Sequence, residues 1–185
     1  MKSEIVIRIR NLVPVLAALL MTACAVPPIS FMDTRPGQTL ASGDSATVHF
    51  FPMQANQDTG VVLEAGARYA LDIKLLNFWV DGDIEETADG ERIDELGFSN
   101  SQMPFEFLGL LRRAKDHNWF ELMLYQPRCA GESLRGVSEL DIDENSGSYN
   151  FVANCDGKLA LFVNDSYVTY GNNLGYANIA LSRVN

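Results

Sequence analysis

Tyr69-Ala70-Leu71-Asp72-Ile73-Lys74-Leu75 sets large apolar side chains at every second position, with small or charged ones between. In a strand, successive side chains point to opposite faces. This heptapeptide therefore buries Tyr69, Leu71, Ile73 and Leu75 and turns Asp72 and Lys74 to solvent. A helix would scatter both sets around its axis. Thr47-Val48-His49-Phe50-Phe51 reads in the same way, and further strand-like runs lie at 105–111, 119–125, 137–142, 148–153, 159–163 and 176–181. Gly, Asn and Asp punctuate the gaps, and no segment carries a long, capped helical period. About eight short strands at this spacing predict an all-β fold, an antiparallel β-sandwich of jelly-roll type.

Ahead of the strands, the first residues read as an address. Lys2, Arg8 and Arg10 form a basic head, an apolar stretch follows, and Met21-Thr22-Ala23-Cys24 closes it with small residues. The apolar part is short for a bilayer span, and its end resembles the lipobox of bacterial lipoproteins. Residues 1–23 are thus expected to be a signal peptide, with Cys24 the lipidated residue. Ala25 after the cysteine favours the outer membrane, facing the periplasm or the cell surface. Residues 24–45 hold Pro27, Pro28, Pro36, Gly37 and Gly43 and read as a tether, leaving 46–185 as one domain.

Charge narrows the partners. Of 14 basic and 24 acidic residues, cleavage would remove Lys2, Arg8, Arg10 and Glu4, leaving 11 and 23, a net of −12. Such a surface repels nucleic acid and anionic lipid, so the lipid anchor is the expected membrane contact. It suits a neutral glycan or a cation. Cys129 and Cys155 are the remaining cysteines. In an oxidising compartment the pair is expected to form a disulfide worth ~3 kcal/mol.

The richest chemistry lies in Asn164-Asp165-Ser166-Tyr167-Val168-Thr169-Tyr170-Gly171-Asn172-Asn173-Leu174-Gly175. A carboxylate, two adjacent amides and several loop carbonyls sit between two strand-like runs. These are hard oxygen donors of the kind Ca²⁺ gathers in sets of six to eight. Asn, Asp and Gly are also the commonest turn residues, so composition alone leaves a turn as the plainer reading.

The run from Leu159 to Leu181 is similar to the calcium-binding end of the galactophilic bacterial lectins of the PA-IL family. The matching elements are a glycine before an apolar strand, Asn164-Asp165, Thr169-Tyr170-Gly171-Asn172-Asn173, Gly175, an aromatic and a last strand. The resemblance implies that the side chains of Asp165, Asn172 and Asn173 bind Ca²⁺, with backbone carbonyls at Thr169 and near Asp81. It also implies that two sugar hydroxyls complete the ion's shell, with Asp165, Ser166 and Asn172 contacting the sugar. A galactoside is the implied ligand, and a homo-oligomer the implied assembly. Two features depart from the pattern. The histidine that family members place in the middle loop is missing, since His49 and His117 lie outside 81–104, and Ser166-Tyr167-Val168 replaces a smaller link.

Residues 81–95 hold eight acids against Arg92 alone. They read as a solvated loop that could also supply a calcium ligand. Two acids can hydrolyse a glycoside, but nothing selects two of eight, and no nucleophile elbow is present. Binding without catalysis is the expectation. The alternative is an envelope scaffold lipoprotein of the same fold that binds a protein, in which the loop is only a turn.

Overall fold

A computed structural model describes residues 36–185, so the expected signal segment, Cys24 and the first part of the expected tether lie outside the described residues. The alternating stretch at 69–75 falls in a strand of fourteen residues. In chain order the strands are β1 Gln38–Thr39, β2 Ser45–Phe50, β3 Gln57–Leu63, β4 Arg68–Asp81, β5 Leu122–Tyr125, β6 Arg135–Gly136, β7 Asp141–Ile142, β8 Tyr149–Val152, β9 Gly157–Val163 and β10 Asn173–Arg183. They form two five-stranded sheets, ordered β1-β3-β9-β5-β6 and β2-β10-β4-β8-β7. Every pair is antiparallel except the short β1–β3 contact. The all-β sandwich expected from alternation is the observed fold.

The facing sheets bury Phe50, Leu63, Tyr69, Leu71, Leu122, Leu159, Leu161, Ile179 and Leu181 in a single core. Strand β9 is buried on both faces, which is why 159–163 reads as an unbroken apolar run. Its second face carries Ala160 and Phe162 into a smaller cluster with Ala114, Met123 and Tyr125. Cys129 and Cys155 are bridged, with Cα atoms 6.4 Å apart, tying the short helix Ala130–Ser133 to the entry of β9.

Three expectations need correction. The run at 105–111 is not a strand: Glu106–Leu111 is a 3₁₀ helix. Gly109 sits where an added Cβ would come within 2.6 Å of Asn100 Oδ1, so the segment coils tightly over that side chain. In 137–142, the 3₁₀ turn Val137–Glu139 precedes the two-residue β7. The fold also begins before Ala46, since β1 pairs with β3 and Leu40 is buried in the core. Besides the two-residue strands β1 and β6, β3 went unread. The Gln57-Asp58-Thr59-Gly60 half of β3 is polar and bulged, with the register to β9 shifting between Asp58 and Val62.

Candidate functional site

Strand β9 belongs to one sheet and β10 to the other, so residues 164–172 cross the edge of the sandwich. Asn164 anchors the start of the crossing. It is fully buried: Oδ1 accepts from the Ala114 N–H at 2.9 Å, and Nδ2 donates to Ala114 O and Asn118 O, each at 2.8 Å. Two further turns carry the chain on, with Thr169 N–H donating to Ser166 O and Asn172 N–H to Thr169 O. The 3₁₀ turn Tyr170–Asn172 then delivers Asn173 to the first position of β10, opposite Asp81 at the end of β4.

This path gathers the oxygen donors. Asp165 is 1% exposed; its Oδ1 accepts from Thr169 Oγ1 at 2.7 Å and from Ser166 N–H at 2.5 Å, and its Oδ2 accepts from Asn173 Nδ2 at 2.9 Å. Asn173 Nδ2 also donates to Pro52 O at 3.3 Å, while Asn173 Oδ1 is buried with no hydrogen-bond partner. Asp81 is buried beside them. Burial and then the charge of Asp165 push its carboxyl up to about 7. Burial also raises Asp165, against the opposing hydrogen bonds of Thr169, Asn173 and Ser166 and the charge of Arg113. The exposed Asn172 closes over Gly82, which has φ +58° and where a Cβ would lie 2.8 Å from Asn172 Nδ2.

Asp81, Asp165, Ser166, Thr169 and Asn172 thus line a surface cavity of about 320 Å³, together with Met103, Pro104, Leu108, Leu111 and Trp119. Of the five residues expected to bind calcium, Asp81, Asp165, Thr169 and Asn172 line this cavity, and Asn173 is joined to it through its hydrogen bond to Asp165. The Asp81 carbonyl accepts the Ile84 N–H and the Thr169 carbonyl the Asn172 N–H, while the Thr169 hydroxyl donates to Asp165. Among the described residues no three His, Cys, Asp or Glu side chains cluster as a metal group. The donors are instead two carboxylates, two amides and a hydroxyl. That set suits a hard cation, and the partnerless buried oxygen of Asn173 is the kind of atom such an ion satisfies.

Neighbouring polar and aromatic residues have other occupations. Tyr167, in the link that departs from the family pattern, lies over the Arg113 guanidinium, 4.6 Å from its ring centre, away from the cavity lining. Trp79 is a core residue, edge-on to Phe120 at 5.4 Å. Gln102 donates to Glu86 O, and Asn100 accepts from Trp119 Nε1 and donates to Glu106 O. Gly175 takes φ +147° at the register shift of β10, whereas Gly171 needs no positive φ.

Arg113 was the residue missed. It is 1% exposed. Its guanidinium stacks 3.4 Å over Phe162, donates to Tyr170 Oη at 2.7 Å and Asn56 Oδ1 at 3.0 Å, and bonds Ala55 O. Tyr170 Oη in turn donates to Val163 O at 2.5 Å, so the arginine holds the crossing loop from beneath.

No protein-family model matches the chain, and no curated protein matches it. Among the solved structures similar to it is one described as the EclA N-terminal domain, a PllA-like lectin. The identity is 18% and the TM-score 0.44, over 75% of this chain and 94% of that chain. At that distance the likeness carries no weight on function, which rests on the side chains above.

Proposed function

We propose that this protein binds a neutral glycan through a calcium ion held between Asp81 and the 165–173 loop, with no catalysis. One observation carries this reading: two buried carboxylates, Asp81 and Asp165, line one surface cavity, beside a buried amide oxygen that has no partner. A like-charged pair at that separation from water is costly unless a cation or a proton joins it. Bound there, Ca²⁺ would supply coordination positions for two neighbouring sugar hydroxyls. Asp81, Asp165, Asn172, Asn173 and Thr169 hold the ion. Ser166 and Asn172, at the cavity lining, are placed to hydrogen-bond the sugar. Leu108, Leu111 and Trp119 offer the apolar wall on which a pyranose lays its C–H face. A galactoside is the first ligand to try. The proposal includes attachment through a lipidated Cys24, which sets the domain off the outer membrane by residues 25–35.

Isothermal titration with Ca²⁺, then with methyl galactosides in its presence, tests the reading. Calcium heat that disappears in Asp165→Ala, together with saccharide heat that requires calcium, is the expected result. No calcium signal, or one indifferent to Asp165→Ala, overturns it. Calcium binding with no response across a glycan array would leave a structural ion and favour a scaffold that binds protein.

A further inference from the structure

Strand β4 is fourteen residues long, but its neighbour β8 pairs only with Arg68–Leu71. On that side, no strand among the described residues pairs with residues 72–80, and neither loop backbone nor side chain bonds to their main chain. The segment that follows does not close the gap. Residues 84–93 fold back on themselves through Thr87 N–H to Glu91 O and Ile93 N–H to Glu85 O, and they meet β4 only at Asp81–Ile84. Between this fold-back and the strand edge runs a cavity of about 620 Å³ lined by residues 75, 76 and 78–80 and by Glu85, Glu86, Arg92 and Ile93.

An open edge of nine residues, ~30 Å long, is a template for another strand. Natural sheets cover, shorten or charge such edges. Here Asp72 and Lys74 guard only the first part, while Leu76 and Phe78 stand exposed beside the groove. The groove's floor therefore offers main-chain hydrogen bonds and apolar contact, and its rim offers the exposed carboxylates of Glu85 and Glu86 against one cation, Arg92, whose main chain is bridged to that of Glu86. A second copy of the chain would bring its own net charge of −10 against that rim. We infer that the edge of β4 over residues 72–80 is a docking site for an extended peptide of a partner protein, with basic and apolar residues in alternation, that joins the sheet as a strand where β8 stops. The peptide's backbone completes the ladder, alternate apolar side chains lie against Leu76 and Phe78, and its basic residues meet Glu85 and Glu86. The site is independent of calcium and of the glycan cavity.

The test uses a fluorescent octapeptide of alternating lysine and valine, in the presence of a calcium chelator, with anisotropy as the readout. Two N-methylated versions are compared, one blocking the odd amides and one the even. Strand addition expects one version to bind as well as the parent and the other at least about tenfold more weakly, since only one edge of the peptide faces the protein. Glu85→Gln with Glu86→Gln is expected to weaken binding several-fold at unchanged thermal stability, because both side chains are exposed. Hydrogen exchange should show the amides in 72–80 that do not face β10 as fast in the free protein and slow in the complex. The inference is overturned if the peptide does not bind, if both methylated versions behave alike, or if a glutamate–valine octapeptide binds equally. Protection of those amides in the free monomer would overturn it, as would concentration-dependent dimerisation that protects them, which would make a second copy the occupant.

Discussion

Replacing Asn164 with alanine removes no charge, yet it should be among the most damaging single changes in the molecule. The side chain is fully buried and bonds four main-chain groups of the 114–118 turn. Two of these keep other partners, since Ala114 O still accepts from His117 N–H and His117 O from Arg112. Ala114 N–H is left buried with nothing, whereas Asn118 O belongs to an exposed residue and turns to water. The orphaned donor costs ~1–3 kcal/mol and the lost hydrogen bonds about 1 kcal/mol more, so Asn164→Ala is expected to lose about 3 kcal/mol. In a domain of this size that lowers Tm by about 8 °C. Asn164→Asp separates hydrogen bonding from volume. It keeps an acceptor for Ala114 N–H but sets a carboxylate against three carbonyl oxygens, and it should be at least as destabilising as alanine. Urea unfolding of both variants in chelator measures the loss without metal. A loss under about 1 kcal/mol, or an aspartate tolerated as well as asparagine, would refute the clamp.

Reducing the Cys129–Cys155 bridge, or replacing both cysteines with serine, should cost ~3 kcal/mol, read from urea midpoints with and without reductant. Stability should also depend on pH through His117 and Glu121. The hydrogen bond to Glu121, opposed by burial, holds His117 above its ordinary 6.5, so its contribution is whole below pH 6.5 and fades as pH rises past that. Burial raises Glu121, but the hydrogen bonds of His117 and Ser138 outweigh it and leave the carboxyl below 4.5, so its contribution fades only in more acid solution. Unfolding midpoints of His117→Gln and wild type should therefore differ most near pH 5 to 6 and converge toward pH 9; a constant difference would refute the pairing. Gly82→Ala puts a Cβ against Asn172 at φ +58°, and should cost ~1 kcal/mol of stability while weakening calcium binding in calorimetry. Unchanged calcium affinity would separate Asn172 from the ion.

The sandwich was legible where alternation was strong and the strand lay with one face to the core, as in β2, β4 and β10. It was not legible at 105–111, where an apolar run is coiled by Gly109 packing on Asn100, a contact invisible to periodicity. Polar β3 hid for the opposite reason, because half of it is a bulge with its side chains at the surface. In the candidate site, Asp165, Asn172 and Asn173 were readable as oxygen donors close in sequence. Their meeting with the side chain of Asp81 depends on β10 pairing with β4 across some ninety residues. Arg113 carried no signal. Its burial is made by Phe162, Tyr170 and Asn56, none of them near it in the chain.

Strand β2 runs beside β10 in opposite sense, Ser45 opposite Ser182 and Phe50 opposite Ala177. The crossing loop leaves β10 at the end remote from Ser45. If the chain is anchored ahead of β2 and gripped by a ligand at that loop, tension enters the pair at opposite ends and directs the two strands to slide past one another. All the hydrogen bonds of the pair then resist together instead of opening one at a time. The domain would then be mechanically strong along the line joining anchor to ligand.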